Sequence, residues 1–179
     1  MKSLILSIAL LSAILTTSVA QEYQPAEQGS SVTFKIKNFG FNVEGSFTGL
    51  QGKILFDPKD PSKASFDVSV DAASVNTDNS QRDNHLKKEE YFDVQNHPRI
   101  RFVSTRITPA GKDGKFTISG KLTIKTTTKD ISFPFTASQM GNDYIFAGEF
   151  TFNRKDFGVG GASTLSNSVT VSLAVLTKK

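Results

Sequence analysis

Apolar and polar residues alternate with period two along most of the chain, the pattern of strands with one buried face. Val32, Phe34 and Ile36 share a face against Thr33, Lys35 and Lys37. After Asn38 the parity flips, and Phe39, Phe41, Val43 and Phe47 become the aligned set beside Gly40 and Gly45. A flip inside one run predicts a bulge or sharp bend, so residues 32–48 read as a single long, curved strand of the kind small barrels use. Alternation resumes over 52–57, 64–72, 99–107, 115–126, 130–138, 144–154 and 168–177. The turn Asp57-Pro58-Lys59-Asp60-Pro61-Ser62 and the glycine-bearing turns at 111–114 and 141–143 separate them. Eight strands joined by tight turns predict an all-β, antiparallel meander closed into a barrel, with side chains or one small ligand inside.

One stretch does not alternate. Residues 79–96, continuing through His97-Pro98, hold both histidines and predict a crossover with a short helix between the third and fourth strands. Asp83, His85, Asp93 and His97 can be drawn as a metal or acid–base cluster. Two histidines without cysteine fall short of a three-ligand catalytic zinc set unless carboxylates complete it. No nucleophile or third ligand is positioned by spacing, so these residues are read as structural, with Ser80 and Asp83 serving the helix start. No catalytic residue, metal site or cofactor is expected.

Composition narrows the classes further. The absence of cysteine removes disulfides, thiolate metal sites, a cysteine nucleophile and a lipoprotein anchor. Fifteen phenylalanines and no tryptophan bring much apolar area with no polar handle, which suits a β core and a hydrocarbon cavity equally. Residues 1–20 carry Lys2, an apolar run from Leu4 to Leu15 and Ser18-Val19-Ala20, the pattern of a cleaved signal peptide. A single mature domain over 21–179, periplasmic or secreted, is the expectation.

Net charge is +4, compatible with transient contact to anionic membrane surfaces. Lys121, Lys125, Arg99 and Arg101 oppose Leu122, Ile124, Ile100 and Phe102, so they are read as solvated exterior. Aromatics point the other way, which argues against a nucleic-acid groove.

The non-alternating segment has a second meaning. Arg82-Asp83-Asn84-His85-Leu86, Tyr91-Phe92-Asp93 and His97-Pro98-Arg99-Ile100-Arg101-Phe102 resemble the YceI-like family pattern. So do Ser31-Val32-Thr33-Phe34-Lys35-Ile36 with Val43-Glu44-Gly45-Ser46-Phe47, Gly120-Lys121-Leu122-Thr123-Ile124, and Asn153-Arg154-Lys155-Asp156-Phe157-Gly158-Val159. Thr126 stands where that pattern has a glycine, a departure that bears on the local turn. The resemblance implies an extended lipocalin-like barrel that binds a polyisoprenoid lipid, such as a quinone or polyprenyl chain, in an internal cavity.

Parity and resemblance together designate the ligand-binding residues as Phe34, Ile36, Phe39, Phe41, Val43, Phe47, Phe66, Val68, Phe92, Phe102, Leu122, Ile124, Phe133, Phe135, Phe150 and Phe152, with Arg154. Some of these phenylalanines are expected to fill the closed end and others to line the cavity. A buried arginine demands a partner: Asp156, a lid carboxylate or a ligand head group. The Gly158–Thr164 loop reads as a mobile flap, and with the 79–96 segment it is expected to flank the entrance, plugged by Tyr91 and Phe92. A non-enzymatic carrier of an isoprenoid-type lipid is the leading reading, with homodimerisation open. The alternatives are an enzyme using His85, Asp83 and His97, and a ligand-free extracellular interaction module.

Overall fold

The computed structural model describes residues 20–111, 114–161 and 164–179, so the signal-like segment lies outside it but for Ala20. Ten strands run in chain order: β1 (Gln21–Pro25), β2 (Ser31–Asn38), β3 (Phe41–Phe47), β4 (Gln51–Phe56), β5 (Ser65–Asp71), β6 (Arg99–Pro109), β7 (Lys115–Ile124), β8 (Thr127–Met140), β9 (Asp143–Asn153) and β10 (Leu165–Lys178). The helix α1 (Ser80–Leu86) lies between β5 and β6. Strand order is β1-β4-β5-β6-β7-β8-β9-β10, and pairing of β1 with β10 closes an eight-stranded antiparallel barrel. The β2–β3 hairpin continues along the same edge of β10, from Ala174 back to Leu165. β1 and β2 are therefore two lengths of one position in the wall.

The single bent strand expected over 32–48 is instead this hairpin. Phe39 (φ 48) and Gly40 (φ 84) form a two-residue loop with both residues left-handed, which folds β3 directly onto β2. Pairs such as Asn38↔Phe41 and Ile36↔Val43 carry an even number onto an odd one, and that is the physical origin of the parity flip. Asn or Asp usually occupies the first loop position. A phenylalanine there strains the backbone by roughly 1–2 kcal/mol, so the turn was not legible. β1 was also missed, because Gln-Glu-Tyr-Gln-Pro offers one apolar residue to read.

One end of the barrel is packed solid. Phe56, 1 % exposed, meets Phe66, Phe116, Tyr144 and Phe146 edge-to-face at 5.0–6.4 Å between ring centres. Ile54, Ile107, Ile118, Phe133, Phe135 and Tyr23 complete this cluster. Burial, reinforced for Tyr23 by the neighbouring Tyr144, raises the pKa of both tyrosines above the ordinary value. A folded pKa above the unfolded one gives stability that is intact below the unfolded value and is lost as pH rises through the folded one. Denaturation midpoints are therefore expected to fall on the alkaline side, above pH of about 10. Tyr144→Phe should flatten that fall; an unchanged alkaline limb would show that Tyr144 does not contribute.

The other end stays open because the chain leaves the sheet after Asp71 and returns at Arg99. The intervening residues fold over the gap between β3 and β6, touching β3 through the Ser46↔Asn76 bridge. Asn79, not Ser80, caps α1, its side chain accepting from the Arg82 amide at 2.9 Å. Asp83 instead accepts from the Thr77 amide and hydroxyl at 2.9 and 2.5 Å. At the β7–β8 turn the left-handed residue is Lys125 (φ 54) rather than Thr126.

Candidate functional site, a cavity at the mouth of the barrel

Above the packed end lies a cavity of about 390 Å³. Register builds its wall in rows. Phe34 and Phe150 flank Val171, Ile36 and Phe152 flank Val169, and Val32 and Gly148 flank Leu173. Rings continue the lining: Phe133 stacks on Phe150 at 4.8 Å and Phe102 approaches Phe133 at 5.8 Å. On the facing side Phe34, Phe47 and Phe92 form a chain of contacts at 5.5 and 5.4 Å.

Glycines press these rings flat. A Cβ on Gly45 would lie 2.6 Å from Cε1 of Phe34, one on Gly120 would lie 2.5 Å from Cζ of Phe102, and one on Gly148 would lie 3.3 Å from Cε2 of Phe133. None of the three has the left-handed backbone that itself requires glycine. The service of Gly45 and Gly120 is space: each lets a large ring lie against the sheet instead of projecting into the lumen, whereas at Gly148 the Pro134 carbonyl, 3.0 Å from such a Cβ, is the nearer neighbour.

Of the residues designated from the sequence, Phe34, Ile36, Val43, Phe47, Val68, Phe92, Phe102, Leu122, Ile124, Phe133, Phe150, Phe152 and Arg154 line this cavity. Phe66 and Phe135 do not; the same inward parity, further along their strands, takes them into the packed end. Phe39 and Phe41 do not either, being 73 % and 78 % exposed at the hairpin tip beyond the mouth. Reasoning that followed phenylalanine missed Val169, Val171, Leu173 and Val175 of β10, which line the cavity. Their strict alternation was the available signal.

Arg154 is 2 % exposed. Its guanidinium donates to the carbonyls of Val159 (2.7 Å), Gly160 (2.8 Å), Leu165 (3.2 Å) and Ser166 (2.9 Å). It thus ties the glycine loop to the start of β10, a partner set of backbone carbonyls that the sequence reading had not considered. The loop is pinned rather than free over its described part. The Gly160 amide donates to Glu90 O at 2.8 Å and Lys155 Nζ to Gly161 O at 2.7 Å; Ala162 and Ser163 lie outside the described residues.

Two supposedly solvated cations also work at this end. Lys125 Nζ donates to Glu89 O at 2.8 Å, fastening the crossover to the β7–β8 turn. Arg99 Nη2 donates to Gly49 O (2.7 Å) and Ser69 O (2.8 Å), joining the β3–β4 corner to β5. Spacing along one strand could not reveal either, since both partners are carbonyls distant in sequence.

Asp83, His85 and His97 do not converge. Only His85 lines the cavity, its ring 4.9 Å from that of Tyr91. Asp83 is engaged by Thr77, and His97 Nε2 lies 3.6 Å from Asp93 within the crossover. No group of three or more metal-ligating side chains occurs among the described residues.

An eight-stranded antiparallel barrel, solid at one end and hollow and apolar at the other, is a lipocalin-like calyx. The YceI-like domain model matches residues 23–176, and the chain belongs to that family. A UPF0312 protein of Pseudomonas fluorescens is 34% identical over 173 residues, covering 88% of this chain and 87% of its own. Protein YceI of Salmonella arizonae is 31% identical over 170 residues, covering 89% and 88%. Among solved structures, Burkholderia cenocepacia BcnA superposes with a TM-score of 0.80 at 27% identity, covering 85% of this chain and 98% of BcnA. A polyisoprenoid binding domain from Saccharophagus degradans shares the fold with a TM-score of 0.72 at 13% identity, over 90% of this chain and 99% of that domain.

Proposed function

We propose that this protein is a non-enzymatic carrier that holds the chain of a long apolar lipid, a polyisoprenoid such as a quinone or polyprenyl tail, in the mouth-end cavity. The observation that carries this reading is a hollow wall made of hydrocarbon from both sides of the barrel. Polar side chains such as Asn38, Thr77, His85 and Thr164 interrupt that lining at separate points. Burying about ten ligand carbons at ~0.8 kcal/mol each supplies roughly 8 kcal/mol, a micromolar affinity before ordering costs. Family membership supports the same class of ligand. A connected cavity also weighs against a ligand-free module whose phenylalanines merely pack.

Mild purification followed by solvent extraction and mass spectrometry tests the reading. A stoichiometric isoprenoid is expected. Repeated absence, together with no uptake of added quinones or polyprenols, would defeat it. We further infer export through residues 1–20, with function in the periplasm or outside the cell; amino-terminal sequencing of protein recovered from that fraction should begin at Gln21.

Exchange requires the crossover to part from the barrel. Phe92 lines the cavity, is partly buried and meets Phe47 edge-to-face, so Phe92→Ala is expected to speed lipid release while destabilising by less than the ~3–5 kcal/mol of a core phenylalanine. Lys125→Ala should also speed release by freeing Glu89 O. Lys121→Ala, which removes only an exposed pair with Asp130 at 3.0 Å, should not. Stopped-flow release of a fluorescent polyene lipid separates the three; equal rates throughout would place the gate elsewhere.

A further inference from the structure

We propose that the tip of the β2–β3 hairpin is a wedge that docks on a lipid bilayer and serves as the ramp by which a lipid tail passes between bilayer and cavity, an inference that rests on the carrier reading above. Phe39 and Phe41 are 73 % and 78 % exposed, two of three large apolar residues left so open among the described residues. A Cβ on Gly40 between them would have no atom within 4 Å, so the loop projects into open space. Phe39 also occupies a left-handed turn position (φ 48) that ordinarily takes Asn, Asp or Gly. An apolar aromatic at a strained, unpacked site makes no contribution to the core.

Register shows where the tip leads. Val32↔Phe47 and Ile36↔Val43 face the cavity, and Asn38↔Phe41 is the next pair on that same face. An apolar row therefore runs from inside the barrel, past the mouth, onto Phe41. Asn38 marks the threshold, its Oδ1 accepting from the Thr164 hydroxyl at 2.7 Å.

Size and charge select a bilayer over a protein partner. At 73 % and 78 % exposure the two phenylalanines present at most about 400 Å², half of the ~800 Å² per partner that a stable protein interface buries. A narrow aromatic tip flanked by a cation suits insertion at the headgroup boundary. Lys37 supplies that cation, exposed on the opposite face and opposite Asn42, whereas the charge of Lys35 is already paired with Glu44 at 2.8 Å.

The chain has no tryptophan, so a single introduced one reports alone. In the full mature protein, Phe39→Trp is expected to shift its emission to shorter wavelength with 3:1 phosphatidylethanolamine–phosphatidylglycerol vesicles, and to be quenched by brominated acyl chains. Met140→Trp, at the exposed end of β8 by the packed pole, should do neither. A Phe39→Ser/Phe41→Ser variant should take up a defined polyprenol from those vesicles at least tenfold more slowly, with uptake from detergent micelles unchanged. No vesicle-induced shift, an equal shift for Met140→Trp, or undiminished vesicle uptake by the serine variant would each overturn docking. So would a shift that appears without vesicles and grows with protein concentration, which would mark self-association. If wild type takes up nothing from micelles, the carrier reading fails and the ramp with it; bilayer docking is still decided, because the tryptophan signal needs no cargo.

Discussion

Gly45→Ala is expected to cut lipid affinity more than a hundredfold while the barrel still folds. The added methyl would overlap the edge of the Phe34 ring, 2.6 Å from Cε1 and closer still to Cζ, and would lie 2.9 Å from the Asn76 carbonyl. The backbone at 45 accepts alanine; the Asn76 carbonyl must give by a small amount and the ring end by more, and the direction open to the ring is the cavity. Displacing about four ligand carbons at ~0.8 kcal/mol each removes roughly 3 kcal/mol, which corresponds to that loss of affinity. Native mass spectrometry against a defined polyprenol measures it. Phe34→Leu added to Gly45→Ala should restore loading. If Gly45→Ala loads like wild type, or the second change restores nothing, ring flattening is not what makes the cavity.

The largest loss of stability is expected at Arg154. Arg154→Met keeps most of the volume but strips donors from four carbonyls, those of Val159, Gly160, Leu165 and Ser166, in a place water does not readily reach. Removing a buried charged partner costs about 3–5 kcal/mol, which equilibrium denaturation resolves easily. Arg154→Lys should recover only a part, since an ammonium cannot span the fork of acceptors that a guanidinium reaches. A methionine variant within about 1 kcal/mol of wild type would mean that loop and strand are held without this tie.

Barrel class, meander and crossover were legible because alternation and tight turns are local properties of the chain. Phe39 hid a hairpin, since the residue at its left-handed position contradicts turn preference, and β1 hid because its pairing with β4 and β10 does not depend on apolar content. The division of inward phenylalanines was beyond parity. Phe66 and Val68 share a face of β5, yet one is in the packed end and the other at the cavity, a difference of depth along the strand. Arg154 was placed inward correctly, but its carbonyl partners arise from how the chain doubles back after β9, which no pairwise spacing encodes. The glycines beneath the rings were visible as letters; their meaning required knowing which ring lies across the strand.

The seam where β1 meets the last residues of β10, Gln24↔Lys178 and Pro25↔Thr177, lies at the packed end. Both described ends of the chain thus leave from the pole opposite the opening. A tag, a fluorophore or a solid support attached at Gln21 or Lys179 would leave the opposite pole facing solution, and dense arrays tethered this way would present every copy in one orientation.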